Sequence, residues 1–255
     1  MKVRAQYVAA CCLLLLVAAS QANGQLDTAL FAGMSARSIG PAGMSGRIGS
    51  VDAVAANPEI VYLGVATGGV WKTLNGGTTW KPVFDNQPVA AVGSIAVNQS
   101  NPSVVWVGTG EGNPRNSASV GNGVYKSMDG GDTWNHLGLD RTERIHRILL
   151  HPTDANIAYA AAMGQMWGEN AERGVFKTSD GGKSWKKILY VDERTGCAEL
   201  VMDPSNPNKM FAGMWDYRRW PWLFRSGGPG SGLYVTYDGG ETWKRLGAGS
   251  GSPKG

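Results

Sequence analysis

Cysteine is scarce, with three in 255 residues. Cys11 and Cys12 lie in an N-terminal leader, so the mature chain keeps only Cys197. One thiol excludes an internal disulfide, and a buried free thiol is expected rather than a nucleophile. Charge excess is scarce too. The formal net charge of +4 falls to +2 once Lys2 and Arg4 leave with the leader, which removes any electrostatic case for nucleic acid. Long apolar runs are missing after residue 22. The one run, residues 7–19, follows Lys2 and Arg4 and precedes the small-x-small site Ser20-Gln21-Ala22. That is the pattern of a secretory signal peptide, too short to span a bilayer, so a secreted or periplasmic protein without a membrane span is expected. A lipid anchor at Cys11 is discounted, because most of the apolar run lies after it. There is no H-E-x-x-H, no G-x-S-x-G and no phosphate loop. No metal or cofactor is expected.

What the chain does have is glycine, 37 residues of it, paired within one recurring stretch. Residues 127–134 read SMDGGDTW, and copies stand at 73–80 (TLNGGTTW), 178–185 (TSDGGKSW) and 236–243 (TYDGGETW). The closing tryptophans, Trp80, Trp134, Trp185 and Trp243, are 54, 51 and 58 residues apart, so each repeat is one small supersecondary unit. Paired glycines supply the positive φ of a tight turn. Asn75, Asp129, Asp180 and Asp238 can bind backbone amides across it, which makes them turn fasteners rather than metal ligands or catalysts.

Before each turn runs a β-favouring segment, and two further short strands precede that, separated by Asn-Pro or Pro-rich turns. Four short antiparallel strands per unit is a propeller blade, so the fold class is all-β, a β-propeller. The blades are expected at 47–88, 89–140, 141–192 and 193–246, after a leader (1–22) and a segment (23–46), and before a flexible tail (247–255). Within 23–46, residues 37–40 resemble the strand that follows each box tryptophan, and read as an orphan outer strand. With no blade here for it to complete, an open part of a larger propeller is expected. The four tryptophans should be largely buried against their own or neighbouring blades.

The repeated S/T-x-D-x-G-x-T-W resembles the Asp-box (BNR) motif of sialidase-type and sortilin-type propellers. Its four copies cover nearly all of the mature chain. Residues 108–111 (GTGE), 173–177 (RGVFK) and 227–232 (GGPGSG) look closer to the secreted bacterial proteins with a sortilin N-terminal-like propeller, often labelled BNR-repeat glycosyl hydrolases. The resemblance implies an N-terminal fragment of an exported propeller, and no particular reaction.

Connections in an antiparallel blade alternate faces, so every strand 2–3 loop shares one face and the box turns share the other. The three long strand 2–3 insertions are 111–122, 164–173 and 215–231. They bring the candidate ligand-binding residues Glu111, Arg115, Trp167, Arg173, Trp215, Tyr217, Arg218, Arg219 and Trp220 to one face. Flat aromatics there can cover a sugar ring or a peptide, and arginines can grip carboxylates. Equally, those aromatics can fold back as packing. Hydrolysis would need two carboxyl groups, about 5 Å apart for retention or about 6.5 to 9.5 Å for inversion. Glu111, Glu169 and Asp216 are the candidates, with Glu172 nearby. The xyloglucan-hydrolysing propellers carry an Asp two residues before the Gly-Gly of their first blade, and this chain has Ala66 there. A recognition propeller for peptide or glycan is therefore favoured, with a glycoside hydrolase as the alternative.

Overall fold

The computed structural model describes residues 47–247, so the leader and the 37–40 strand expectation lie outside the described residues. Four antiparallel sheets follow in chain order. The first is β1 (Ile48–Val54), β2 (Asn57–Val65), β3 (Gly69–Thr73) and β4 (Lys81–Pro82). The second is β5 (Val92–Val97), β6 (Val105–Thr109), β7 (Val124–Ser127) and β8 (Asn135–His136). The third is β9 (Ile145–Leu150), β10 (Ala158–Ala162), β11 (Gly174–Thr178) and β12 (Lys186–Leu189). The fourth is β13 (Thr195–Asp203), β14 (Asn206–Arg219), β16 (Gly232–Thr236) and β17 (Lys244–Arg245), with β15 (Phe224–Ser226) paired to the far end of β14.

These are propeller blades. Their first strands pack in succession, β1 on β5, β5 on β9 and β9 on β13, while among the described residues no strand of the fourth sheet packs substantially on the first. The arc is open. Side chains stitch the first strands together: Ile95 N–H donates to Ser50 Oγ at 2.9 Å and Ile148 N–H to Ser94 Oγ at 2.8 Å. Where those serines become Arg147 and Glu199, a bidentate ion pair at 2.7 and 2.8 Å joins the third and fourth blades. Apolar side chains fill each gap between blades, for example Tyr62 and Val70 of the first against Ile95 and Val107 of the second. Cys197 is buried in the last such layer, and burial pushes its thiol far up, which removes it as a nucleophile.

The box turns form as their chemistry dictates. In the second, Asp129 accepts from Thr133 N–H at 2.9 Å, Thr133 Oγ1 at 2.5 Å and Ser127 Oγ at 2.7 Å, while Gly130 and Gly131 take φ of 72° and 99°. The Thr133 hydroxyl and amide, with Ser127, hold the Asp129 carboxyl down at about 2, and the same contacts depress Asp180 and Asp238. A depressed carboxylate contributes fully above the ordinary range near about 4 and loses that contribution as pH falls through its folded value. Asn75 fills the place in the first box, its Oδ1 accepting from Thr79 N–H at 2.9 Å, and an amide does not titrate. Between pH 4 and 2, hydrogen exchange corrected for its intrinsic rate should therefore loosen residues 127–134, 178–185 and 236–243 while leaving 73–80 unchanged. Equal loosening of all four turns would refute this role for the aspartates.

Two local expectations need correction. The box tryptophans are half-buried rather than largely buried. One indole edge stays in water at the outer rim, while the other wedges between blades, Trp134 against Phe84 at a 5.2 Å centroid distance and Trp185 against Trp106 at 6.3 Å. Their Nε1–H groups donate to Val83 O at 2.6 Å and Leu137 O at 2.8 Å of the preceding blade. Asn57-Pro58 and Asn206-Pro207 open strands rather than turns, because the hairpins tighten one step earlier, with Val54 pairing Asn57 and Asp203 pairing Asn206.

Candidate recognition face

The strand 2–3 insertions meet, and one of them is not a loop. β14 runs 14 residues, so Trp215 to Arg219 continue the blade's second strand and fold back through β15 as a hairpin. The register explains it: Thr195 and Gly196 pair Asp216 and Trp215 on one side, and Phe224 to Ser226 pair Arg219 to Tyr217 on the other.

The hairpin splits its side chains by strand alternation. Tyr217 is buried, its hydroxyl donating to Gly164 O at 3.2 Å, and the Arg173 guanidinium lies 4.7 Å from its ring. Trp215 stacks on Tyr217 at 4.9 Å and meets Phe224 edge-on at 5.7 Å. Arg173 is fully buried and donates to Arg194 O at 3.0 Å and to Gln165 O, so it braces the 164–173 loop; burial lowers its pKa. Arg219 donates to Asn116 Oδ1 and, at 3.1 Å, to Pro114 O, which ties the hairpin to the 111–122 loop. Trp215, Tyr217 and Arg173 are thus packing and bracing groups.

The outer surface differs. Trp220 lies between Arg218 at 4.6 Å and Arg225 at 5.7 Å, and the turn beyond it exposes Trp222 (81 %) and Leu223 (56 %). Trp167, on the neighbouring loop, is 37 % exposed, and Arg115 and Glu169 are exposed. These apolar and cationic groups offer flat contact area to a ligand.

Three of the four candidate carboxylates, Glu111, Asp216 and Glu172, are engaged by cations, while Glu169 is exposed. Glu111 is 1 % exposed and both its oxygens are held by Arg47, Nε at 2.8 Å and Nη2 at 2.7 Å. Asp216, also 1 % exposed, lies 3.0 Å from Arg225 Nη2 and 3.6 Å from Arg194 Nη2; the closer contact is an ion pair without hydrogen-bond alignment. Glu172 stands 3.6 Å from Lys187. Ala66 is fully buried, its N–H donating to Arg47 O at 2.8 Å. Burial pushes the Asp52 carboxyl upward, yet Asp52 accepts from Val97 N–H at 2.7 Å on the first strands, away from the hairpin. The arginines that neutralise the acids, Arg47, Arg194 and Arg225, were not among the sequence candidates. Nor was Arg144, buried beside Gly164, although Arg47-Ile48 and Arg144-Ile145 repeat one dipeptide at the entry to a first strand.

Among known proteins, the sequence model of the Sortilin-Vps10 family (sortilin, neurotensin receptor 3) matches residues 122–252, just over half of the chain. A xyloglucanase of Acetivibrio thermocellus is 24% identical over 231 residues, covering 77% of this chain and 25% of that protein. The vacuolar protein sorting/targeting protein 10 of Kluyveromyces lactis is 36% identical over 75 residues, 27% of this chain and 4% of its own length. Among solved structures, an ancestral GH74 enzyme superposes with a TM-score of 0.60 at 24% identity, over 80% of this chain and 24% of that one. That likeness establishes the fold. The chain spans about a quarter of the length of the xyloglucanase it matches. Four Asp-box blades in an open arc, matched over their second half by that family's own sequence model, place the chain as a member of the Sortilin-Vps10 family.

Proposed function

We propose that the chain is a secreted recognition propeller that binds an extended glycan or peptide across the face carrying the β14–β15 hairpin. The observation that carries this reading is the contrast between two sets of side chains. Trp222, Leu223 and the arginine-flanked Trp220 are presented outward, whereas Glu111 and Asp216 are buried and engaged by half-buried arginines. A general acid must reach the scissile bond to exchange its proton, and these two carboxylates are 1 % exposed and turned onto guanidinium groups. The alternative, hydrolysis of glycosidic bonds, draws support from the xyloglucanase relative.

Titration calorimetry with xyloglucan oligosaccharides, other plant and bacterial glycans, and a peptide panel separates glycan from peptide. Trp222→Ala should weaken the bound class about fivefold or more, because truncating a hot-spot aromatic costs more than about 1 kcal/mol. Reducing-end release, measured in parallel, should stay at background. Sustained turnover that disappears in Glu111→Gln or Asp216→Asn would overturn the binding-only reading in favour of the hydrolase.

A further inference from the structure

Two like charges stand directly opposite each other on the β14–β15 hairpin. Arg218 pairs Arg225 in the strand register, so both side chains leave the same side of the ribbon. Opposed like charges cost stability, and the hairpin offsets that cost only in part. Strand alternation puts Asp216 and Trp220 on this side too. Asp216 lies 3.0 Å from Arg225 Nη2 and 3.6 Å from Arg194 Nη2, so one carboxylate stands against three guanidinium groups, those of Arg194, Arg218 and Arg225. Residues 215–226 contain no other acid. Arg218 makes no hydrogen bond or ion pair among the described residues, and its guanidinium lies 4.6 Å from the Trp220 ring. Its Nε is buried without a hydrogen-bond partner, as are Nε and Nη2 of Arg225. Both side chains remain half-exposed, Arg225 at 34 %.

Beside these cations the turn offers flat apolar surface, with Trp222 81 % and Leu223 56 % exposed. The Trp222 ring protrudes. A protruding indole complements the flat apolar face of a pyranose, whereas the side chains that anchor a bound peptide insert into well-packed pockets. A guanidinium in turn matches a planar carboxylate through two parallel hydrogen bonds. Uronic acids combine the two features, because each residue carries a carboxylate one bond from its pyranose ring.

Resting on the reading of this face as the recognition face, we propose that the hairpin binds an anionic glycan built of uronic acids. One sugar stacks on Trp222, and a neighbouring carboxylate is taken by Arg218 and Arg225 beside Trp220. The bound carboxylate neutralises the opposed pair, which Asp216 alone leaves in excess of positive charge.

Titration calorimetry of the unmodified chain with an oligogalacturonate, its neutral methyl ester, a xyloglucan oligosaccharide and an oligoglutamate peptide tests this. The acid should bind about tenfold or more tighter than the ester, the scale of a hydrogen bond from a charged donor. Arg218→Gln should erase that advantage and leave the affinity for the ester unchanged, with circular dichroism reporting the fold. Lys244→Gln, which removes the same charge from the exposed outer strand β17, should change none of the affinities. Equal affinity for acid and ester would overturn the proposal, as would an advantage that survives Arg218→Gln. Tighter binding of oligoglutamate than of oligogalacturonate would overturn it in favour of an acidic peptide. If the ester or the xyloglucan oligosaccharide binds through Trp222 and the acid binds no better, this inference falls while the recognition face stands. If no probe binds, or binding survives Trp222→Ala, both fall. Should Arg218→Gln fail to fold, the comparison of acid with ester on the unmodified chain decides.

Discussion

Arg47→Met should lower the unfolding free energy by about 3–5 kcal/mol, the cost of stranding a buried carboxylate without its partner. Both Glu111 oxygens are bound by that one guanidinium, and Glu111 is 1 % exposed, so water cannot replace it without opening the 111–122 loop. The backbone contribution of residue 47 is untouched, because its carbonyl still accepts from Ala66 N–H. Arg47→Met with Glu111→Met should recover most of the loss, since two apolar groups leave no orphan charge. Urea unfolding of the two variants decides it. A single-variant loss below about 1 kcal/mol would mean that Glu111 reaches solvent, which would return it to the list of candidate acids.

Gly93→Ala should cost about 3 kcal/mol or more, at the upper end for overpacking. A Cβ on Gly93 would lie 2.3 Å from Gly110 O and 2.5 Å from Ile145 O, and neither atom can swing away as a side chain does. The substitution would force the first strands of the second and third blades apart. Gly213→Ala is the control, because its Cβ would meet nothing closer than 3.7 Å, and its effect should stay within about 0.5 kcal/mol. Comparable melting temperatures for the two variants would show that the blades do not approach as closely as described.

The blade fold was legible because its signals are local. Gly130-Gly131 with Asp129 and Thr133 sets a turn within eight residues, and Val124 to Ser127 declares its strand by composition alone. The face argument was legible as well, since alternation of connections needs no tertiary knowledge, and Arg219 does bond to Pro114 and Asn116 of a loop some hundred residues away. Side-chain fates on that face were not legible. Tyr217 and Trp220 are three residues apart and look alike in sequence, yet strand pairing with Arg194-Thr195 buries one and the turn at Leu223 half-exposes the other. Glu111 read as a free acid because Arg47 lies 64 residues away, and Asp216 because Arg225 comes beside it only through the β14–β15 hairpin that the sequence reading took for a loop. Burial of the box tryptophans was overestimated because each indole stands just before a short outer strand of two to four residues, at the edge of its sheet.

The length of β14 has a mechanical consequence. Fourteen residues at roughly 3.3 Å each make a rod of about 46 Å that runs from Asn206 to the Trp220 turn without a break. It is hydrogen-bonded to β13 and β16 within the blade and to β15 beyond it. A pull on the tip along the strand therefore loads those bonds in shear, all sharing the force at once, whereas a sideways pull peels β15 away one bond at a time. On the proposed function, a ligand held at Trp222 would resist axial tension and be released by lateral prying.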